Sequence, residues 1–256
     1  MGHHGRDLAS ARRTAIFALS IALFVALWQI LASAVDDRVL PGPGAVLRVL
    51  WLDTLSGELP YHLGVTLARV AVSFALAMIV GSSIGLAMGR SGRIDRFFDA
   101  WLILFLNIPA LVTIILCYVW FGLNEAAAVS AVAINKIPNV AVTMREGARA
   151  LDPAYAKLAR VYRLGRWQVL RHVVLPQLAP FFAASARSGL ALVWKIVLVV
   201  ELLGRGNGVG FQLNLFFQLF DVPSILAYTV AFVAIVQVIE LGLFGPWERH
   251  ANRWRA

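Results

Sequence analysis

Four ionisable side chains lie inside apolar stretches of the chain, where they are the residues best placed to do chemistry. Lys136 lies in one stretch, and Arg187, Lys195 and Glu201 lie in another. Arg187 and Lys195 are about two helical turns apart, so a helix carries both on roughly one face. A path lined by these cations would favour an anionic solute. The alternative is internal pairing, for instance of Lys195 with Glu201 or with a neighbouring helix. Further residues that could shape a path are Asn107, Asn135, Pro109 and Pro138.

Signatures of catalysis and of cofactor binding are missing from the sequence. No GxxxxGK[ST], HExxH, GxSxG or paired-cysteine motif occurs. The glycines of GRGNGVG at 204–210 follow an apolar stretch, which favours a flexible or tightly turning loop over a dinucleotide site. Cys117 is the single cysteine and predicts a small buried side chain, and His3 with His4 has no third ligand nearby. We therefore predict no catalytic residue, no metal and no cofactor in this chain.

The composition indicates an integral membrane protein. Of 256 residues, 60% are hydrophobic and 14% are charged, and the mean hydropathy is +0.75. A soluble domain is about a quarter charged. A transmembrane helix needs roughly 20 apolar residues. Six spans are predicted, at 14–35, 66–88, 100–121, 126–144, 178–203 and 226–244.

The distribution of Lys and Arg predicts the orientation of these spans. Sixteen lie in the N-terminal tail, the loops after the second and fourth spans, and the C-terminal tail. The opposite side holds Arg38, Arg48 and Arg205, with Arg69 near the start of the second span. Cations gather on cytoplasmic loops, so both termini are predicted to be cytoplasmic. This asymmetry explains the net charge of +9 without a nucleic-acid partner.

No separate soluble domain is predicted outside the spans. Residues 1–60 comprise a cytoplasmic tail, the first span and an outer segment in which LPGPG marks a turn. Residues 61–245 form the transmembrane domain, with a cytoplasmic loop at about 145–177, and 246–256 form a cytoplasmic tail. Gly81, Gly85 and Gly89 permit close helix packing, for which contact within the chain is favoured and a dimer seam is the alternative.

The large cytoplasmic loop is predicted to form two short helices that project from the membrane. Asp152 can cap a helix that begins at Pro153, Gly165 permits a bend, and Leu175 with Pro176 ends the second helix. The segment carries exposed cations and a Trp, which suits docking into a protein groove. Contact with anionic lipid head groups is the alternative, and these physical arguments do not separate the two.

The segment EGARALDPAYAKLARVYRLGRWQVLRHVVLPQLAP, from Glu146, resembles the coupling loop of binding-protein-dependent ABC importer permeases. That loop has a Glu-Ala-Ala…Gly…Leu-Pro pattern. The resemblance extends through LPGPGAVL, LGVTLARVAVSFALAMIVGSSIGLAMG, NIPALVTIILCYVWFGLNE and VVELLGRGNGVGF, in the family's order. The chain is most similar to the permeases for sulfonate, taurine and nitrate.

The resemblance implies an all-α, type I ABC importer permease fold, with a coupling loop that inserts into a groove of an ATPase subunit. Lys157 and Arg163 stand where the family pattern has Glu and Gly, so this chain departs from the core of the motif. The residues carried over as candidates for the ATPase contact are Lys157, Leu158, Ala159, Arg160, Arg163, Gly165 and Arg166.

The resemblance also implies a function and a set of partners. The chain would be the permease subunit of an ATP-driven importer in a bacterial inner membrane and would itself be no enzyme. A homodimer would bind two ATPase subunits, which hold ATP and Mg²⁺, and a periplasmic binding protein would deliver a small anion. An ion-coupled secondary transporter is the main alternative, although repeated halves are not evident. A membrane enzyme would need a catalytic constellation, and none is convincing.

Overall fold

All secondary structure that the computed structural model describes, at residues 3–35 and 39–244, is helical. Within these ranges, the side chains of 3–14, 17, 156, 160, 166, 243 and 244 are not described. The tail predicted at 246–256, and Arg38, lie outside the described residues. The helices are α1 His3–Ala34, α2 Pro43–Ser56, α3 Glu58–Arg90, α4 Gly92–Asn107, α5 Ala110–Phe121, α6 Glu125–Arg149, α7 Pro153–Val161, α8 Arg166–Val169, α9 Leu175–Gly204, α10 Val209–Gln218 and α11 Val222–Ile239. Two π-helical turns, Leu170–Val174 and Glu240–Phe244, precede α9 and follow α11.

One compact unit contains the described part of residues 1–60 together with 213–231. The LPGPG segment begins in a turn at Val39–Leu40, and its Pro43 and Gly44 already belong to α2. Trp28 Nε1 donates a hydrogen bond to the Pro41 carbonyl (3.1 Å). The outer segment also contains a helix that was not predicted. This helix, α2, has Pro43 in its first turn, where a missing N–H costs little, and it ends at the left-handed Gly57 (φ 86°).

The second unit contains residues 61–212 and the described part of 232–256. Within it, α3 and α6 approach closely at the glycines of the predicted packing face. A methyl group on Gly85 would lie 2.4 Å from the Ala141 carbonyl oxygen, and one on Gly89 would lie 2.4 Å from Ala148 Cβ. Only residues without a side chain permit this spacing. Packing within the chain, the favoured interpretation, is thereby confirmed at this face.

The stretch 100–121, predicted as one span, is divided between α4 and α5. Their axes differ by 97° at a break between Asn107 and Ala110. Ile108 is extended (φ −73°, ψ 123°) because the ring of Pro109 disfavours helical backbone at the preceding residue. The predicted span is therefore bent in its middle, at Pro109.

Three helical segments in the described ranges are long and apolar enough to cross a membrane: α3, α6 and Val222–Gly242. The bent pair α4–α5 makes a fourth if it counts as one span, and Ala18–Ala34 is a shorter apolar helix. The described part of the chain is therefore an all-α, multi-span membrane protein. Six spans with cytoplasmic termini remain a prediction.

The loop after α6 forms two short helices, as predicted, but it turns at a different residue. Arg163 has left-handed backbone (φ 49°), whereas Gly165 does not have positive φ. The Leu164 N–H bonds to the Ala159 carbonyl (2.9 Å), which is the hydrogen bond of a helix C-terminus closed by a left-handed residue. The bend assigned to Gly165 therefore belongs to Arg163.

The second short helix does not end at Leu175 and Pro176, contrary to the prediction. Helical backbone runs from α8 through the π-helical turn Leu170–Val174 into α9. Pro176 lies in the first turn of α9, where its missing N–H is tolerated. The predicted start is confirmed, because Asp152 Oδ1 accepts the Ala154 N–H (2.8 Å).

Candidate functional site

A buried arginine joins two carboxylates at one end of the second unit. Arg69 of α3 is 4% exposed and donates to Glu201 Oε1 through Nη1 (2.7 Å). Its Nε and Nη2 also donate to the two carboxylate oxygens of Glu125 (2.9 and 2.6 Å). The Asn207 carbonyl and side chain complete its set of acceptors. Three helices and a loop thus meet at one guanidinium, and we call Arg69, Glu125 and Glu201 the arginine lock.

The loop 204–210 is folded around Glu201 of this lock. The carboxylate Oε2 accepts hydrogen bonds from the Thr66 hydroxyl and the Gly210 N–H (both 2.9 Å). Gly208 has φ 106°, and a methyl group there would lie 2.3 Å from Glu201 Cδ. The loop is thus tightly turned, one of the two forms predicted for GRGNGVG, and Gly208 is required by its backbone conformation and by its contact with a buried carboxylate.

Further contacts fix the start of α10 and the position of Arg205, the arginine of this loop. The Val209 N–H donates to Thr66 Oγ1 (2.8 Å), and the Gly208 N–H donates to His62 Nδ1 (3.0 Å). Arg205 donates to Glu125 Oε1 (2.5 Å), so Glu125 is shared between two cations. Polar groups that would be costly to bury alone satisfy one another here.

A second charged cluster lies at the other end of α6. Arg145 Nη1 donates to Asp99 Oδ1 (2.6 Å) and lies 3.5 Å from Asp95 Oδ1. Arg149 Nη2 lies 2.5 Å from Asp95 Oδ2, and its Nη1 lies 3.1 Å from Glu146 Oε1. These pairs tie the start of α4 to the end of α6, immediately before the loop that contains α7. We call these residues the α4–α6 cluster.

The structure does not gather the predicted path residues into one site. Lys136 is buried, and Asn135 beside it is half-buried. Arg187 and Lys195 are exposed along α9. Asn107 is exposed and donates to the Ile103 carbonyl (2.7 Å) of its own helix.

The sequence left two possible partners for these charges, namely pairing of Lys195 with Glu201 or pairing with a neighbouring helix. Glu201 pairs with Arg69 of the neighbouring helix α3 and not with Lys195. From the sequence, Arg69 was expected only to be a charge near the start of a span. The signal that could have found the lock is an opposite pair, Arg69 and Glu201, inside two apolar stretches, since such groups need partners.

The predicted contact residues occupy a short, projecting segment. Lys157 and Leu158 are exposed on α7, and Ala159 is buried against the rest of the unit. Arg163 and Gly165 are exposed in the turn, where the Gly165 N–H donates to Gln168 Oε1 (2.9 Å). Arg160 and Arg166 were also predicted to contact the ATPase, but their side chains are not among those described. The segment therefore presents both cationic and apolar groups.

Two other features bear on chemistry. The described residues contain no group of three or more His, Cys, Asp or Glu side chains that could hold a metal ion. A cavity of about 220 Å³ lies between α3, α4 and α6 and is lined only by apolar side chains, among them Trp101, Phe105 and Pro138. Such a lining offers no hydrogen bond or charge to a polar solute.

Comparison with known proteins gives consistent results. The chain is 28% identical over 236 residues to the putative aliphatic sulfonates transport permease protein SsuC of Bacillus subtilis strain 168, covering 91% of this chain and 85% of that protein. It is 30% identical over 189 residues to the Escherichia coli K12 protein of the same name, covering 73% of this chain and 72% of that protein. An inward-facing structure of the MetNI methionine ABC transporter matches with a TM-score of 0.68 at 16% identity, covering 78% of this chain and 99% of that chain, which shows the fold alone.

The residues 73–245 match the model of a single protein family, and this range is more than half of the chain. The predicted relation to importer permeases of the sulfonate subgroup is thereby confirmed. The chain belongs to the family described as binding-protein-dependent transport system inner membrane components.

Proposed function

We propose that the chain is the permease subunit of an ATP-driven ABC importer for a small anionic solute. The observation that carries the proposal is the family match over residues 73–245, together with relatives named as aliphatic sulfonate permeases. The proposed solutes are a sulfonate, taurine, nitrate or a related organic acid. The chain performs no covalent chemistry, since ATP and Mg²⁺ are bound by partner ATPase subunits.

The surface of α7 and its turn supports docking to an ATPase subunit. Val161, Tyr162 and Trp167 are 77%, 70% and 69% exposed. Large aromatic and aliphatic side chains on a projecting helix are typical anchors in a protein groove. Lys157 and Arg163 flank them and add positive charge. Because α7 follows α6 after only a few residues, movement of the docked helix would be passed to a membrane span.

The proposed topology has six spans and cytoplasmic termini. The three apolar segments, the bent pair α4–α5, the apolar part of α1, and α9 supply six candidates. Arg187, Lys195 and Glu201 lower the hydropathy of α9, but its 30 residues exceed the length that a bilayer requires. In this topology α7 lies in the cytoplasm and the arginine lock lies at the outer face. The chain is placed in a bacterial inner membrane as a multi-pass protein.

The proposed assembly contains two copies of this chain and two ATPase subunits. A periplasmic binding protein delivers the solute at the outer face. Closure of the ATPases on ATP draws the two α7 helices together and changes the packing of the spans. Asn107, Asn135, Arg187 and Lys195 are proposed to line the path in at least one of the states, and Lys136 is treated separately below.

Uptake by the reconstituted complex tests the proposal. Proteoliposomes that contain the chain, its ATPase and its binding protein should take up taurine or an alkanesulfonate only when ATP is supplied. Substitution of both Arg160→Glu and Arg163→Glu should uncouple ATP hydrolysis from uptake, because it reverses the charge of the docking segment. Arg93→Glu makes the same change outside that segment, at the start of α4, and should leave coupling intact.

Two outcomes would contradict the proposal. Full ATPase association and transport in the Arg160→Glu/Arg163→Glu variant would refute the docking assignment. Uptake by this chain alone, driven by an ion gradient, would identify a secondary transporter.

A further inference from the structure

Lys136 lies halfway along three packed helices. It is the twelfth of the 25 residues of α6. A methyl group on Gly189, the fifteenth of the 30 residues of α9, would lie 2.7 Å from Lys136 Cε and 3.4 Å from Nζ. Phe74 Cε2 lies 3.5 Å from the same point, and Phe74 is the seventeenth of the 33 residues of α3. If these helices span the membrane, the ammonium group lies near its mid-depth.

No acidic side chain that the structure describes forms an ion pair with the ammonium group of Lys136. The residue is 2% exposed, and among the described residues it forms no hydrogen bond or ion pair. The acids of its own helix, Glu125 and Glu146, lie eleven and ten residues away, about 15 Å along the axis. Both are already engaged by arginines at the two ends of α6.

An unpaired charge at this depth is costly, so a purely structural role gives no reason for the lysine. Buried charges in membranes are generally paired, and the cost of leaving one unpaired is several kcal/mol. Methionine would fill the same space without that cost. Gly189 also leaves the space that Lys136 occupies, since any side chain there would collide with Cε. The helix pair α6–α9 therefore accommodates a charge that the protein itself does not neutralise.

Among the described residues, two further buried hydroxyls, on α3 and α9, have no hydrogen-bond partner. The Ser185 hydroxyl is buried and unbonded, one helical turn before Gly189 on the same face of α9. The Ser73 hydroxyl, next to Phe74 on α3, is also fully buried and unbonded. Buried hydroxyls are normally hydrogen-bonded. One cation and two hydroxyl donors on three helices are the groups that an oxyanion requires.

We propose that Lys136, with Ser73 and Ser185, forms an intramembrane binding site for a small monovalent oxyanion, such as a sulfonate or carboxylate group. The inference rests on the proposed permease function, and it gives the solute an intermediate binding site within the path. When α9 moves relative to α6, the ammonium group loses the cover of Gly189 and meets the anion. The anion supplies the counter-charge and accepts the hydroxyl hydrogen bonds. When the helices close again, the lysine is sealed as it is here.

The test uses the full chain in nanodiscs, without ATPase or binding protein, and measures its Tm. The probe is sodium methanesulfonate, compared with sodium chloride at equal ionic strength and with the neutral isostere dimethyl sulfone. Methanesulfonate should raise Tm in a concentration-dependent manner, because a ligand of the native state stabilises it. The Lys136→Met variant should lose this response, with an apparent Kd weaker by about tenfold or more. The Arg93→Met variant also removes one positive charge, at an exposed residue outside the path, and should respond as the wild type does.

The same measurement separates a binding lysine from a structural one. Without the probe, Lys136→Met should have a Tm equal to or above that of the wild type, because it removes an unpaired buried charge. A lower Tm in this variant would show that Lys136 is paired within the protein and would overturn the site. An equal response of wild type and Lys136→Met to methanesulfonate would also overturn it.

Ser185→Ala tests the site without changing its charge. Ser185→Ala should weaken the apparent Kd a few-fold and leave the unliganded Tm almost unchanged, and an unchanged Kd would remove Ser185 from the site. This binding assay contains no ATPase. If methanesulfonate does not bind, the anion site is refuted, but the importer proposal is not, because only the uptake assay tests it. If methanesulfonate binds but ATP-dependent uptake is absent, the importer proposal is refuted and the anion site is retained.

Discussion

The two ends of α6 use the same chemistry under different conditions. At its N-terminal end, Glu125 is bonded to Arg69, which also bonds to the fully buried Glu201. At its C-terminal end, Arg145 joins carboxylates of α4, of which Asp99 is 49% exposed. Within the arginine lock, the Arg69–Glu201 pair is desolvated, although Glu125 is 54% exposed. In the α4–α6 cluster, both members of every ion pair are at least partly exposed. Desolvation therefore makes the Arg69–Glu201 pair costly to break, whereas the pairs of the α4–α6 cluster are weaker because water competes for them.

The largest effect is expected from Arg69→Met. It leaves the buried Glu201 without a counter-charge, so we expect a loss of about 3–5 kcal/mol in the free energy of unfolding. Thermal or denaturant unfolding in nanodiscs measures it. The double variant Arg69→Met/Glu201→Met should recover much of the loss, because both charges are then absent. A double variant no more stable than Arg69→Met would show that the pair is not the source.

The next largest effect is expected from Gly208→Ala. The substitution places a methyl group 2.3 Å from Glu201 Cδ at a residue with φ 106°. Steric overlap and the left-handed backbone together should cost about 2–4 kcal/mol, measured in the same unfolding assay. Gly206→Ala is the matched control in the same loop, since a methyl group there meets nothing within 4 Å and φ is not positive. Equal costs in both variants would contradict this account of the loop.

A smaller effect is expected at the other end of α6. Arg145→Met should lower the free energy of unfolding by about 1 kcal/mol, because its partners are partly solvated. The loss should shrink in high salt, which screens exposed pairs, while the cost of Arg69→Met should not. Unfolding at two salt concentrations therefore compares the clusters directly. A large loss in the free energy of unfolding for Arg145→Met that does not depend on salt would show that the two clusters do not differ in solvation.

The smallest effect is expected from Arg163→Gly, and it should be favourable. Glycine adopts left-handed backbone without the cost that a side chain imposes, so the turn after α7 should gain up to about 1 kcal/mol. Hydrogen exchange of the Leu164 N–H, which bonds to the Ala159 carbonyl, should slow. Tyr162→Gly, at a neighbouring residue without positive φ, should make that exchange faster. Slower exchange in both variants would show that chain flexibility and not φ is responsible.

Much of the helical arrangement was predictable from sequence. Apolar length located the cores of α3, α6 and α11, and Asp152 with Pro153 located the start of α7. The three glycines of α3 predicted a close helix contact, and α6 is the helix that they meet. These features depend on composition, periodicity and capping, which act between residues a few positions apart.

The features that were not predicted from the sequence have local and long-range causes. The break at Pro109 carried a local signal that the length of the apolar run obscured. The left-handed conformation of Arg163 was not expected, because glycine normally occupies such a position and Gly165 lay close by. The arginine lock had no local signal of its partners, since Arg69 and Glu201 are 132 residues apart.

By itself, the sequence determined that the chain is a helical membrane protein, that its Lys and Arg lie mostly on one side of its predicted spans, and that it resembles importer permeases. These properties follow from residue type and order, which fix transfer energies and helix periodicity. Only the tertiary structure decided which intramembrane charges are paired. It joined Glu201 to Arg69 and left Lys136 without a partner among the described residues. The reason is that desolvation and pairing depend on which helix faces meet, and many pairings are compatible with the same order of residues.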